Sequence, residues 1–439
     1  MHFKVNNCFD SHVHWAMSGQ SSTTLSLKNL HSPQEVAGLK PQAHHFRGDW
    51  LLGFGWDQNT WDPATLPTRQ TLDTLFPNHP VAFGRIDGHA LWLNSEALRR
   101  ADLLGKPIEN PQGGVIVRDE QGIPTGVLLD LAMDRVKSHI PKPNKKELQR
   151  HLIEGQRYFH SRGFTHIRDM SCSQEQWEAL TQLSETEQLT LAVEQYFDSE
   201  NPNRFNSVLQ LAHEAKRAHL PLVRVKGVKV FYDGALGSEG ALLSCSYCSG
   251  SGNGFRLMDE ETLREIMIRT WEKQLDLAVH VIGDEAAHQV VHTAHTLWNG
   301  NHHSRGRLHL EHAQMMRPET IALLENQNVT CHMQPCHWLS DRRWLKAKVG
   351  SLFPFVFPWQ ALENKKVAIH FGSDSPIEES SIFNTLTALK DSVSAGVPAL
   401  KEDPLKYLQH PDPNWTPDTY SVFRENKVET VFFRGKSIS

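Results

Sequence analysis

The chain has 439 residues, a formal net charge of −5 and a pI near 6.6. It carries no block of basic residues, which argues against nucleic acid or an anionic membrane as the main partner. Mean hydropathy is −0.46, there is no apolar run long enough for a membrane span, Met1–Asn7 lacks the apolar segment of a signal peptide, and six cysteines in so long a chain do not read as a disulfide framework.

The expected setting is therefore cytoplasmic, with a small molecule as partner. A chain of this size can bury a large core, as one big α/β barrel or as two ordinary domains.

The apolar run Val5 to Phe9 leads into Asp10-Ser11-His12-Val13-His14. Alternate side chains of a strand share a face, so His12 and His14 point the same way. Two imidazoles on one face of a strand end can hold a divalent cation. Alone the motif is weak, since the chain has 26 histidines. A polar segment and a short helical stretch, Ser32 to Leu39, follow. Residues from about Trp50 to Asp130 are rich in Gly, Pro and Trp, with short strand-like runs at Val81–Arg85 and Gly114–Arg118. This stretch reads as an insertion that covers something, outside the repeating scaffold.

From Lys145 helix and strand patterns alternate. Helical segments at Leu148–Ser161, Gln174–Leu183, Phe205–Arg217, Asp259–Lys273, Glu285–Trp298, Pro318–Asn326 and Ile382–Val393 alternate with strand-like ones. The latter are Phe164–Met170, Leu189–Tyr196, Leu222–Tyr232, Leu275–Ile282, Arg307–His312, Val329–Gln334 and Val367–Ser373. With the first strand they make eight, which predicts the α/β class and a closed (β/α)8 TIM barrel. The expected division is 1–45 with 141–395 as barrel, 46–140 as a lid inserted between strands one and two, and 396–439 as an appendage ending in the strand Val428–Arg434.

Barrel enzymes place reactive groups at the C-terminal ends of strands. Those ends carry His12 and His14 on strand one, Lys229 on strand four, His280 on strand five, His312 on strand six and Asp374 on strand eight. Four histidines, a lysine and an aspartate from five strands could converge on one metal site. The lysine is the odd member, because an ammonium repels cations and is costly to desolvate. Carboxylation by CO2 would turn Lys229 into a carbamate anion able to bridge two metals; the alternative is a salt bridge to Asp233 or Asp374.

Together these stretches resemble the amidohydrolase superfamily, in particular its YtcJ-like branch, the amidohydrolase family 3 proteins, which includes N-substituted formamide deformylases and proteins labelled exoenzyme regulatory proteins. The resemblance runs through Asp10–His14, Gly55-Trp56-Asp57, Arg85–Ser95, Pro124-Thr125-Gly126, Lys229–Gly237, His280–Asp284, Glu311-His312-Ala313-Gln314, Met333–His337 and Gly372–Pro376, in family order. It implies that His12, His14, Lys229, His280, His312 and Asp374 form the metal set. His12, His14 and Asp374 would hold one ion and His280 and His312 the other, with carboxylated Lys229 between; a single-metal variant would use His12, His14 and Asp374. Bound Zn²⁺ lowers the pKa of its water to roughly 7 and polarises a carbonyl. Asp374 would be the catalytic acid–base, accepting the proton of the attacking water and passing it to a leaving nitrogen. Imidazole and carboxylate ligands suit zinc, with Fe²⁺, Mn²⁺ and Co²⁺ as alternatives.

Other polar residues have competing readings. His309 lies three before His312 and is expected on the opposite face, in packing or at the surface. His370 shares a face with Asp374 but lies deeper, as a core-layer residue. His166 and Arg168 end strand two and either touch substrate or serve structure. His337 could orient substrate or leaving group. In the insertion, Arg85, His89, Trp92 and Asn94 are substrate-binding candidates, the alternative for Trp56 and Trp92 being a small core of the insertion itself. Cys245 and Cys248 form a lone CxxC without further ligands nearby and read as incidental thiols. The glycine-rich stretches Gly234–Gly240 and Ser249–Gly254 read as barrel loops.

Most relatives flank the barrel with a β-sandwich built from both chain ends. Here the HxH begins at residue 12, so that sandwich is expected only as a remnant, with Val428–Gly435 its final strand. Barrel surface left bare could be covered by a homodimer interface or by the proline-rich tail. The resulting expectation is hydrolysis of a small-molecule C–N bond, of amide or formamide type, by metal-activated water. The alternatives are a non-catalytic regulatory protein with a vestigial metal site, or a deaminase, lyase or isomerase on the same barrel.

Overall fold

The computed structural model describes residues 2–21, 24–105, 108–111, 113–199, 202–300 and 306–438. They fall into two compact units, Met1–Gly19 with Leu148–Ser439, and Gln20–Glu147.

The larger unit is built on eight parallel strands in sequential order: β1 (Phe9–Val13), β2 (His166–Cys172), β3 (Ala192–Asp198), β4 (Val223–Phe231), β5 (Asp276–Val281), β6 (Leu308–His312), β7 (Val329–Met333) and β8 (Ala368–Phe371). The ring closes where β8 returns to β1, through a parallel bridge between Val13 and Ser375. Two backbone bonds seal the seam, His14 N–H to Ser375 O at 2.8 Å and Asp374 N–H to His12 O at 2.8 Å. This is a (β/α)8 barrel. Its strands are buried on both faces, and the polar residues they carry lie in the barrel interior or at its mouth.

Helices α1 (Lys145–Ser161), α2 (Gln174–Glu185), α3 (Phe205–Ala215), α4 (Glu260–Glu272), α5 (Asp284–Asn299), α6 (Pro318–Leu323), α7 (Trp359–Asn364) and α8 (Ile382–Ser394) connect or follow the strands. Their starts are chemically marked: Ser173, Asp259 and Ser381 each accept an N–H three residues on. In α5 the buried set Ala286, Ala287, Val290, Val291, Ala294, Leu297 and Trp298 repeats at three and four residues, the stripe a helix needs to cover a sheet.

The structure corrects one local expectation and bears out another. The run Val5 to Phe9 is not one strand: Asn7, with φ of 43°, separates strand His2–Asn6 from β1. The first piece joins Tyr420–Arg424, Lys427–Phe433 and Lys436–Ser437 in a four-stranded antiparallel sheet, where Phe3 stacks on Phe423 at 5.1 Å between centroids. The short helical stretch expected at Ser32 to Leu39 is present as a 3-10 helix, Pro33–Gly38.

The smaller unit has its own mixed sheet, in the order Leu25–Ser26, Trp50–Trp56, Val81–Arg85, Ala90–Leu93, Pro124–Asp130, Gly114–Arg118. Residues 20–45, assigned to the barrel on sequence, cluster here, because Leu25, Leu27 and Val36 are buried with Leu51, Trp56 and Phe83 in one apolar core.

Candidate metal centre

Three side chains meet at the seam of the barrel. His12 on β1 and His14 just beyond it direct their Nε2 atoms at one oxygen of Asp374, with Oδ1 at 3.3 Å and 3.0 Å. Ligand atoms of these three residues all lie within 4.8 Å of one another. The sequence explains the approach. Gly372 passes so close to β1 that a Cβ there would stand 2.5 Å from the His12 nitrogen. Asp10 then anchors the turn, accepting from Ser373 N at 2.8 Å, Ser373 Oγ at 2.7 Å and Ser380 Oγ at 2.8 Å. Asp374 itself sits in the left-handed region, φ 63°, which aims its carboxylate at the two imidazoles.

His12 Nε2 and Asp374 Oδ1 are buried and find no hydrogen-bond partner among the described residues. Two imidazole nitrogens pointed at a carboxylate, with no proton between them accounted for, are the donor set of a divalent transition metal. Burial alone would push the Asp374 carboxyl up, but His12 and His14 hold it well below the usual carboxylate range.

His312 reaches the same mouth by leaving the strand. Its φ is 70° and that of Ala313 is 44°. Strict alternation would have set His312 with Leu310; the left-handed turn swings it toward the seam. Its ring lies 4.8 Å from that of His12 and 4.5 Å from that of His280. His312 Nδ1 meets Gln334 Oε1 at 2.9 Å, which fixes the proton there and leaves Nε2 as a lone pair. Burial also pushes the His312 pKa well down, keeping the imidazole neutral.

His309 takes the packing role of its expected pair. It faces the barrel interior with Glu311, bonded to His332 at 2.9 Å and 3.5 Å from Asp276 Oδ2. His370 stacks on His332 at 5.8 Å in this inner layer, and His166 bonds Thr416 and stacks on His410, both structural contacts.

Lys229 on β4 is fully buried, and its Nζ has no hydrogen-bond partner among the described residues. It stands 4.0 Å from the centre of the Phe231 ring. The salt bridge considered on sequence does not form with Asp233, whose carboxylate accepts from Leu242 N, Ile282 N and Gly283 N at 2.8–3.0 Å. Nor does it form with Asp374. Burial pushes the Lys229 pKa down, partly offset by the charges of Glu311, Asp198 and Asp374.

Arg168 is turned into the barrel, where it meets a carboxylate. It is fully buried, its Nη1 is 2.6 Å from Glu311 Oε1, and its guanidinium lies 4.1 Å from the centre of the Tyr196 ring. Glu311 in turn takes His12 Nδ1 at 2.5 Å. Burial would raise the Glu311 carboxyl, but Arg168 and His12 hold it down at about 2. Sequence reasoning gave Glu311 and Gln334 no role. The available signal was a carboxylate inside the strand-like run Leu308–His312, where an unpaired buried charge is untenable.

His337 lies at the edge of the cluster, Nε2 3.7 Å from Asp374 Oδ2 and its ring stacked on His312 at 5.9 Å. The four insertion candidates belong to the smaller unit. Asn94 caps the helix Ser95–Arg100, and its side chain bonds Val81 N, Ala97 N, Phe76 O and His79 O. Trp92 is fully buried against Trp56 and Trp61, with its indole N–H on Thr68 O. Both side chains are committed to that unit's own architecture. Arg85, which is buried, pairs with Asp87 at 2.7 Å, and the half-buried His89 pairs with Asp130 at 2.8 Å. All six cysteines are free, Cys245 and Cys248 being exposed.

The fold and these residues together define a class: a (β/α)8 barrel with a histidine–carboxylate cluster at the C-terminal ends of its strands, the end at which such barrels do chemistry. The family model described as "Amidohydrolase family" matches residues 9–391, and the chain belongs to that family. The YtcJ protein of Bacillus subtilis (strain 168) is 31% identical over 386 residues, covering 84% of this chain and 69% of that protein. An N-substituted formamide deformylase of Arthrobacter pascens is 32% identical over a shorter stretch of 142 residues, 30% of this chain and 25% of that protein. Among solved structures, an uncharacterized metal-dependent hydrolase from Pyrococcus horikoshii OT3 is similar with a TM-score of 0.70 and 25% identity, covering 93% of this chain and 77% of the other.

Proposed function

We propose that the protein is a metal-dependent hydrolase that cleaves a C–N bond of a small amide or formamide. The observation that carries this reading is the convergence of His12 Nε2 and His14 Nε2 on the buried, unpartnered Oδ1 of Asp374. His12, His14 and Asp374 would hold one divalent cation, with zinc best matched to two imidazoles and a carboxylate. His280 and His312 would hold a second, with Lys229 carboxylated between the two. Family membership and the metal-dependent hydrolases of like fold support the hydrolytic reading, and the formamide deformylase supports the C–N choice.

A bound divalent cation supplies an activated water near neutral pH and a polarised carbonyl. The chain's own groups do the rest. His312, neutral and fixed through Gln334, offers a lone pair where a protonated ring would repel a cation. Asp374 is an anion at neutral pH, so it can take a proton from the attacking water and deliver it to the departing nitrogen. His337, beside Asp374 Oδ2, is placed to orient that nitrogen. Lys229, a buried amine with no partner and a depressed pKa, can bond CO2 with loss of one proton. Among the described residues no helix is long and apolar enough to cross a membrane.

The test is turnover of N-formyl and N-acyl amines by zinc-reconstituted protein in ¹⁸O-water. Amine release with one solvent oxygen in the carboxylate product is expected. Product without solvent oxygen would make the protein a lyase or isomerase. Metal-loaded protein inert toward the whole panel would favour a regulatory role and overturn the C–N reading.

A further inference from the structure

The proposed mechanism uses His12 Nε2 but leaves its other nitrogen, and the buried ion pair behind it, without a task. We infer that Glu311 is a positioning residue that sets the tautomer of His12 and so decides whether the site is open to a cation; this rests on the metal-dependent reading above. The competing arrangement is visible in the geometry. If the His12 proton sat on Nε2, it would lie toward Asp374 Oδ1, 3.3 Å away, and occupy two of the three ligand atoms at once. Glu311 Oε2, 2.5 Å from Nδ1, draws the proton to the far side of the ring and leaves the Nε2 lone pair free.

Arg168 makes this choice directional. It holds the other oxygen of the same carboxylate, Oε1, at 2.6 Å, and its own plane is fixed over Tyr196. All of Glu311, Arg168 and His12 are fully buried, so water does not substitute for either partner. A glutamine at position 311 would therefore turn its carbonyl toward Arg168, which can only donate, and present its NH2 to His12 Nδ1. The amide then demands a lone pair at Nδ1 and forces the proton onto Nε2, the closed arrangement. Removing Arg168 as well frees the amide to flip and offer its oxygen to Nδ1.

The experiment measures zinc affinity of the full chain by chelator competition, with circular dichroism reporting folding of each metal-free variant. Glu311→Gln is expected to weaken zinc binding about 10- to 100-fold, and the double variant Glu311→Gln, Arg168→Met to recover at least part of that loss. A purely structural ion pair predicts the opposite order, the double variant binding no better than the single one. Folded Glu311→Gln with zinc affinity within twofold of wild type, or a double variant without recovery, overturns the inference. Should the variants fail to fold, ¹⁵N-histidine NMR of metal-free wild type decides, with the resonance assigned by its loss in His12→Ala. A proton on Nδ1 of His12 is expected, and a proton on Nε2 refutes the proposal. Wild-type protein that takes up no zinc while its His12 proton sits on Nδ1 would sink the metal-dependent reading and leave the tautomer assignment standing.

Discussion

Each ring nitrogen of His12 faces a different carboxylate, Glu311 on one side and Asp374 on the other, so removal of this one side chain takes a partner from two buried anions, leaving Arg168 on the first and His14 on the second. His12→Ala and Asp374→Asn are each expected to lower kcat/KM at least about 10³-fold, read from steady-state kinetics on folded protein of known metal content. Lys229→Ala is expected to lose activity and to regain part of it with millimolar acetate or propionate, because a small carboxylate can stand in for a carbamate. Restoration by ammonium ions in their place would show that the free amine was the working group. Asn94→Ala belongs to a different category: loss of a helix cap and a buried amide should cost about 1–2 kcal/mol and lower the thermal midpoint while KM of the surviving folded protein holds. A selective rise in KM would return Asn94 to the substrate site.

At this scale the ligand candidates were legible because strand-end histidines, Lys229 and Asp374 are the residue types that chemistry needs. Arg168 kept two readings because a lone arginine at a strand end looks the same whether it meets a substrate or a carboxylate four strands away. Only the three-dimensional pairing with Glu311 distinguishes them.

The strands and helices of the barrel were readable from alternation and capping, and their observed limits lie close to the expected ones, as with helix α4 after its Asp259 cap. What periodicity could not supply was departure from the strand. His312 and Asp374 both reach the site through left-handed backbone just at or beyond the ends of β6 and β8, and rules of alternation carry no information there. The β8–β1 seam is where this geometry is most exposed to mutation. Gly372→Val places carbon within 3.1 Å of the His12 backbone and side chain, so the strands must part. Overpacking of this kind should cost about 2 kcal/mol or more and also reduce metal content, since His12 and Asp374 are tied across the seam by a backbone bond. Equilibrium denaturation with metal analysis of the same sample checks both. Unaltered metal content in a destabilised variant would mean that the seam does not control the site.

For the whole molecule, several buried imidazoles, on helix α1 as well as in the barrel strands, are held neutral. Burial pushes the pKa of His160 and His370 down to about 4 and those of His166 and His332 well below the ordinary 6.5. The unfolded chain binds these protons at a higher pH than the folded one, so folding loses stability as pH falls from 6.5 toward 4, each such group costing about 1.4 kcal/mol per pH unit across the window. Asp10, raised to about 6 by its burial, acts in the opposite sense, as do His12 and His89, which Asp374 and Asp130 raise against the pull of burial; the lowered imidazoles, with His309, His312 and His337 among them, outnumber these. The thermal midpoint should therefore drop steeply between pH 6.5 and 4.5, and a flat profile would show that these histidines are protonated in the native state. The division of the chain was the least legible feature at this scale. A boundary near residue 45 follows composition, whereas Leu25, Leu27 and Val36 obey the apolar core that they complete in the smaller unit.

The central claim is that His12, His14 and Asp374 converge as a metal centre, and anomalous diffraction from crystals grown with zinc tests it most directly. A peak at the zinc edge within coordination distance of those three side chains, with or without a second beside His280 and His312, is the predicted result. Crystals of catalytically competent protein with no anomalous peak there, and a hydrogen bond from His12 Nε2 to Asp374 in its place, would contradict it.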